Sequence, residues 1–213
     1  MDKVNFEELR PFGPSIFKIK IPKHIVLALN KYVDNLINDN KKVKDLSAGA
    51  YLAGDVTQEF KLEKEFSLKS GWSDLISKAT FQWIKITCKK DIKDFKMIDS
   101  WIVRQFQNEY NPVHMHSGHI SGAGFLKVPS TLGKYVQEEK HSTKKYAGGT
   151  LNLIHGSKQF LSNSVFTIKP EVGDFYFFPN YLMHTVYPFK GTDEERRSIS
   201  FNAFIDQSIY DVF

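Results

Sequence analysis

The chain has 213 residues and one cysteine, Cys88, so it can form neither an intramolecular disulfide nor a metal site of several thiolates. Because Cys88 lies in an apolar stretch, it is expected as a buried thiol in a reducing compartment. No apolar run approaches the roughly 18 residues of a membrane span. The polar start Met1-Asp2-Lys3 lacks the basic and apolar regions of a secretory signal, and a cytoplasmic protein without membrane contact is expected. Blocks of one charge sign are also missing. The 29 Lys+Arg exceed the 24 Asp+Glu by only +5, and lysines alternate with acids, as in Lys61-Leu62-Glu63-Lys64-Glu65. With no zinc-finger, RNP-type or helix-turn-helix signature, nucleic acid is not an expected partner. Glycine (13) and proline (8) are too few for a collagen-like or low-complexity chain.

What is present is core material: 41% hydrophobic and 14% aromatic residues, enough for one domain over 1–213. Residues 1–98 read as a mixed α/β support region. Residues 15–21 alternate, with Phe17, Ile19 and Ile21 on one face and Lys18 and Lys20 on the other, and Pro22 ends the run. Ile25, Val26, Leu29, Val33 and Leu36 then recur at helical spacing. A second helix is expected after Ser70-Gly71, through Trp72, Ile76, Ala79 and Trp83 towards Cys88. From residue 99 the period changes from 3.6 to 2. Short β-rich runs (101–107, 120–128, 150–154, 165–168, 174–178, 182–187 and 197–205) alternate with Pro and Gly turns, the pattern of an all-β sandwich or barrel. The charged residues 134–146 suit a mobile cover over a site rather than core.

Four histidines fall near predicted strands: His114, His116, His119 and His184. Two histidines at i and i+2 on an extended segment point to one side, so His114 and His116 can share a metal. Alone, a His-x-His pair more often sits on a surface or in a hydrogen-bonded structural role. The hairpin around Pro179-Asn180 returns through Leu182 with the single His184, and can bring a third imidazole to the first two. In Arg196-Arg197-Ser198-Ile199-Ser200-Phe201-Asn202, parity puts Arg196, Ser198, Ser200 and Asn202 on one face and Ile199 and Phe201 on the other. If the polar face lines a barrel, Arg196 is a buried cation that needs an anion, and a dicarboxylate held by Arg196 and Ser198 would supply it. A surface salt bridge is the alternative. Arg197, on the apolar side, is expected to emerge at the strand end with its guanidinium in solvent.

Taken in order, His114-x-His116, Ser121 seven residues after the first histidine, Gly148-Gly149-Thr150, the apolar run from Gly173-Asp174 to Phe178-Pro179, His184 and Arg196-x-Ser198 resemble the core of the Fe(II)/2-oxoglutarate-dependent oxygenases. Ser100-Trp101 and Ser121-Gly122 add a narrower similarity to a branch found in bacteria and phages. The resemblance covers residues 99–205 and implies an α+β, mostly β fold. Its core would be a double-stranded β-helix (jelly-roll or cupin-like) over 99–213 with supporting N-terminal helices. It implies Fe(II) and 2-oxoglutarate (2OG) as cofactors, His114, His116 and His184 as metal ligands, and Arg196 with Ser198 holding the distal carboxylate of 2OG. No catalytic residue beyond the ligands is implied. The family's usual second ligand is a carboxylate, and here that place is His116. A shifted register would make His116 the first ligand and put Gly118 in the acid's place, as in His-x-Gly halogenases, but strand parity and the distance to Ser121 fit the first register better. His119 and His155 are expected to have no metal role.

The implied function is a dioxygenase that couples decarboxylation of 2OG to hydroxylation of a small-molecule or peptidyl, amino-acid-like substrate. A three-histidine cupin-type dioxygenase that uses no 2OG, and a non-catalytic β-barrel binding module, are the alternatives from other classes.

Overall fold

The computed structural model describes residues 13–49, 54–132 and 148–211. Strand β1 (Phe17–Lys20) leads into helix α1 (Lys23–Leu36), then α2 (Asn40–Leu46), β2 (Gln58–Lys61), α3 (Lys64–Lys69) and α4 (Trp72–Cys88). The β-rich part follows as β3 (Phe95–Gln105), β4 (Asn111–His114), β5 (Ile120–Lys127), β6 (Leu151–Ile154), β7 (Val165–Ile168), β8 (Asp174–Pro179), β9 (Met183–Val186) and β10 (Arg196–Ile205), and a short α5 (Gln207–Tyr210) comes last. The segment 134–146, expected as a cover, falls outside the described residues.

The strands form two antiparallel sheets, a six-stranded one in the order β1-β8-β5-β10-β3-β2 and a four-stranded one in the order β4-β9-β6-β7. Together they make the expected double-stranded β-helix, α+β and mostly β. Between the sheets, Phe125, Tyr176 and Phe178 of the larger one pack against Leu151, Leu153 and Val186 of the smaller. On the larger sheet's other face, Phe175, Phe177, Ile199 and Phe201 pack against the apolar stripes of α1 and α4, including Leu29, Val33, Trp72 and Ile76. Phe175 can lie flat on β5 because the chain there is Gly122-x-Gly124, where a Cβ would overlap the ring. This packing fixes β5, and through it β10, whose inner face carries the arginine discussed below.

The N-terminal strands belong to the same sheet as the β-rich part. In β1, Phe17 and Ile19 turn inward while Lys18 and Lys20 both pair with Asp174 of β8. Strand β2 extends the opposite edge by pairing with β3, and β3 begins at Phe95 and so crosses the expected boundary at residue 99. Cys88 departs from expectation: it is exposed, because it is the last residue of α4, a turn beyond the last buried positions, Trp83 and Ile84. Among the described residues no helix is long and apolar enough to cross a membrane.

Candidate active site

Strands β4 and β9 pair with His114 directly opposite His184, which is how the hairpin delivers the third imidazole. Alternation in β9 leaves Met183 exposed and buries His184. His116 lies two residues beyond β4 and is held by the turn after β8: its N–H donates to Asn180 O (3.1 Å) and its carbonyl accepts from Asn180 Nδ2 (3.3 Å). Its ring stacks on Trp101 at 5.4 Å between centroids. The candidate ligand nitrogens of His114, His116 and His184 all lie within 4.8 Å of one another.

The rings are oriented for coordination. His114 Nδ1 lies 2.7 Å from Pro112 O and His184 Nδ1 lies 3.0 Å from Leu182 O. Only a protonated Nδ1 can donate to a carbonyl, so each Nε2 keeps its lone pair for a metal. His116 Nε2 is 2.8 Å from His184 Nε2, close to the roughly 3 Å between cis ligands each about 2.1 Å from a common ion. Burial, with His184 and His114 alongside, pulls the His116 pKa down to about 3. Burial and His114 likewise pull His184 down to about 4, against the opposing bond to Leu182. Both imidazoles are therefore neutral bases at neutral pH, as metal ligation requires. Three imidazole nitrogen donors fit a divalent ion such as Fe(II).

The same cavity, about 460 Å³, is lined by the three histidines, Trp101, Arg196, Ser198, Ser200 and Asn202. Arg196 points inward from β10, as parity requires, and is 2% exposed. Its Nε donates to Gly149 O and its Nη1 to Gln105 Oε1, both at 3.0 Å, and the guanidinium lies over the Phe125 ring. No carboxylate among the described residues forms an ion pair with it, and burial alone lowers its pKa to about 10. Arg197 contradicts the expected solvent position. It is fully buried beneath α1, donating to both oxygens of Glu195, to Asn30 O and Oδ1 at 3.0 Å, and to Asp34 Oδ1 at 2.7 Å. Helix α1 covers that face of the sheet, and the acidic partners were invisible in a strand pattern.

Of the remaining sequence candidates, Ser121 donates to Asn202 Oδ1 at 2.7 Å and so braces β5 against β10. His119 is buried, hydrogen-bonded to the backbone of Ile205 and stacked on Tyr210, outside the histidine cluster; His155 is exposed just past β6. Gly118 has φ +91° and sits where a Cβ would be 2.8 Å from Ala203 O. It belongs to a tight turn, whereas the clustered set begins at His114. Gln105, Asn111 and Glu59 escaped the sequence reading, and Trp101 entered it only through the family resemblance, with no role. Trp101 and Gln105 share a parity in β3 that could have flagged them, but Glu59 lies in a short polar strand with no periodicity of its own.

Residues 99–202 match the family model described as "Putative 2OG-Fe(II) oxygenase". Among solved structures, the chain resembles the viral collagen prolyl hydroxylase from Paramecium Bursaria Chlorella virus-1 in its 2OG complex. That match has 15% identity, covers 88% of this chain and 94% of that one, and has a TM-score of 0.52. It also resembles a prolyl-4-hydroxylase from Pseudomonas putida (13% identity, 89% and 92% coverage, TM-score 0.58). A third is a prolyl hydroxylase from Trichoplax adhaerens in complex with a hypoxia inducible factor peptide fragment (13%, 92% and 86%, TM-score 0.58). At these identities the likeness is one of fold. No curated protein matches the sequence. The family's cofactors are the expected Fe(II) and 2OG, and the three-histidine cluster could bind the iron. The part of the chain that matches the 2OG-Fe(II) oxygenase family is residues 99–202, which hold the three histidines, Arg196 and Ser198.

Proposed function

We propose that the protein is a hydroxylase that couples decarboxylation of 2OG to oxidation of a C–H bond in a peptidyl or amino-acid-like substrate. In this reading His114, His116 and His184 hold the iron, and Arg196 with Ser198 holds the distal carboxylate of 2OG. The observation that carries it is Arg196, a fully buried guanidinium without a carboxylate partner among the described residues, in one cavity with three clustered imidazoles. A cupin-type site that uses no 2OG has no need of such a cation, and a binding module has no need of the imidazoles.

Bound Fe(II) and 2OG supply the oxygen-activating chemistry. The chain supplies orientation and electrostatics. Carbonyls of Pro112 and Leu182 fix two imidazole tautomers, and the Trp101 ring and the Asn180 turn fix His116. Gln105 and Phe125 hold the Arg196 fork away from water, where a bidentate pair with a carboxylate is strongest. With His116 in the carboxylate's place, the site keeps the full +2 of the metal, which favours a dianionic cosubstrate. Residues before 99 would support the core, through α1 and α4 packed on the larger sheet. A peptidyl substrate is favoured by the prolyl hydroxylase neighbours, one of them in complex with a peptide fragment.

Anaerobic titration of the protein with Fe(II) and then 2OG tests the proposal. A visible charge-transfer band from the chelated keto acid is expected. Metal binding without that band would favour the cupin-type alternative, and absence of both would leave a binding module.

A further inference from the structure

In the same cavity, on the edge strand β2 of the larger sheet, lies a carboxylate that the proposed reaction does not use. Glu59 is 3% exposed, lines the cavity, and leaves its Oε2 without a hydrogen-bond partner. A second buried acceptor, Asn111 Oδ1, is likewise without a partner and lines the cavity too. The two are gathered around Gly54: a Cβ there would overlap Asn111 Oδ1 and come within 3.1 Å of Glu59 Oε1. Among the described residues no lysine, arginine or histidine forms an ion pair with Glu59. Burial, reinforced by the nearby Glu109, raises its pKa to about 7, so nothing among the described residues stabilises the charge.

Buried acceptors without donors are costly, on the order of 1–3 kcal/mol each and more for a charged group, and a native site that tolerates two of them side by side is built for a ligand that donates. Their place in the fold indicates which ligand. Strand register aligns Glu59 with Val103 and Val103 with Ser198, so Glu59 stands two strand spacings, about 10 Å, from Ser198. That separation is too long for the carboxylate of 2OG clamped at Arg196 to serve both ends. Asn111, in turn, begins the strand that ends in His114. The acceptor pair therefore lies to the side of the Arg196–Ser198 face, across β3, in the cavity that the three histidines also line, where the molecule to be oxidised would lie.

We infer that Glu59 and Asn111 form a recognition subsite for a cationic nitrogen, an ammonium or guanidinium, on the substrate. The inference rests on the hydroxylase reading above and narrows its peptidyl or amino-acid-like substrate to one that carries a positive charge. The two ends of the cavity are then complementary in charge to two different molecules: a cation, Arg196, for the dicarboxylate, and an anion, Glu59, for the substrate. An ammonium donates up to three hydrogen bonds and a guanidinium five, enough to satisfy both acceptors at once.

The test uses paired probes that differ in the presence of one cationic nitrogen: acetyl-lysine amide against acetyl-norleucine amide, acetyl-arginine amide against acetyl-citrulline amide, and norleucine amide against acetyl-norleucine amide. Binding is measured by calorimetry under argon, both to the Fe(II)- and 2OG-loaded protein and to the protein without them. In at least one pair the cationic member is expected to bind at least tenfold more tightly. Glu59→Gln should reduce that preference below threefold while the Kd for 2OG stays within threefold of the parent's. Glu59→Asp, which keeps the charge, should retain part of the preference. A preference below tenfold in every pair, or one that survives in Glu59→Gln, would overturn the subsite. Loss of 2OG and metal binding by the parent itself would instead overturn the hydroxylase reading, and the probe pairs on the unloaded protein still report on Glu59.

Discussion

Replacement of Arg196 by methionine separates a binding residue from a structural one, because the two roles predict opposite outcomes. Without 2OG the guanidinium is a buried cation whose pKa is pulled down to about 10 by burial alone, a penalty on the order of 3 kcal/mol at 1.36 kcal/mol per unit. Methionine removes that penalty. It also removes the bonds to Gly149 O and Gln105 Oε1, at about 1–3 kcal/mol for each acceptor left dry. The two effects nearly cancel, so the urea-unfolding free energy of Arg196→Met should stay within about 2 kcal/mol of the parent. Cosubstrate binding has no such compensation. Truncating one partner of a desolvated charge pair costs about 2–5 kcal/mol, so the Kd for 2OG, read from the anaerobic charge-transfer titration, should rise by about 30-fold or more. Arg196→Lys keeps the charge but not the fork and should cost at least about tenfold. Arg197→Met should behave in the opposite way, because it strands Glu195, whose side chain is 11% exposed, and Asp34. Breaking a buried pair costs about 3–5 kcal/mol, and Arg104, still bonded to Glu195, moderates this to the lower end. Its affinity for 2OG should stay within threefold. A strongly destabilised Arg196→Met that binds 2OG as the parent does would refute the assignment of Arg196 to the cosubstrate.

Three further outcomes are expected. His184→Ala should lose its bound divalent metal, measured by elemental analysis of the folded protein, because the strand pairing that sets His184 opposite His114 leaves no substitute donor among the described residues; parent-like metal content would remove the three-histidine assignment. His116→Asp should still bind metal but weaken 2OG by about tenfold, since a carboxylate lowers the charge of the site by one; unchanged or tighter 2OG binding would count against the charge argument. Stability against pH should have two limbs of opposite sign. Burial opposes ionisation of Glu195, but bonds from Arg197 and Arg104 outweigh it and hold the carboxyl below its usual 4.5. Its contribution is therefore present above pH 4.5 and lost as pH falls. Glu59, raised to about 7, stabilises the folded state most below pH 4.5, and that contribution fades as pH rises towards 7. Urea midpoints from pH 3 to 8 should flatten between 4.5 and 7 in Glu59→Gln, and an unaltered slope there would show that Glu59 is not buried as described.

Local pattern in the chain determined much of the site. Period-2 runs located eight of the ten described strands, and the 3.6 stripes located α1 and α4, because a strand or helix with one buried face writes its period into the sequence. Parity in β10 was enough to send Arg196 inward, since alternation needs no knowledge of the partner strand. Spacing and order grouped His114, His116 and His184. Tertiary structure decided what each face meets. Arg197 was expected in water because an outward strand position has no covering layer until α1 is packed over it, with Asn30 and Asp34 waiting there. Cys88 was expected in the core because an apolar neighbourhood in sequence does not say where along a helix the packed layer ends. The short elements β2, α2 and α3 are too brief to hold a period, and β2 exists because β3 offers it an edge. Glu59 became legible only there: a glutamate in a polar stretch reads as surface, and only the pairing of β2 with β3 turns it into the cavity beside Asn111.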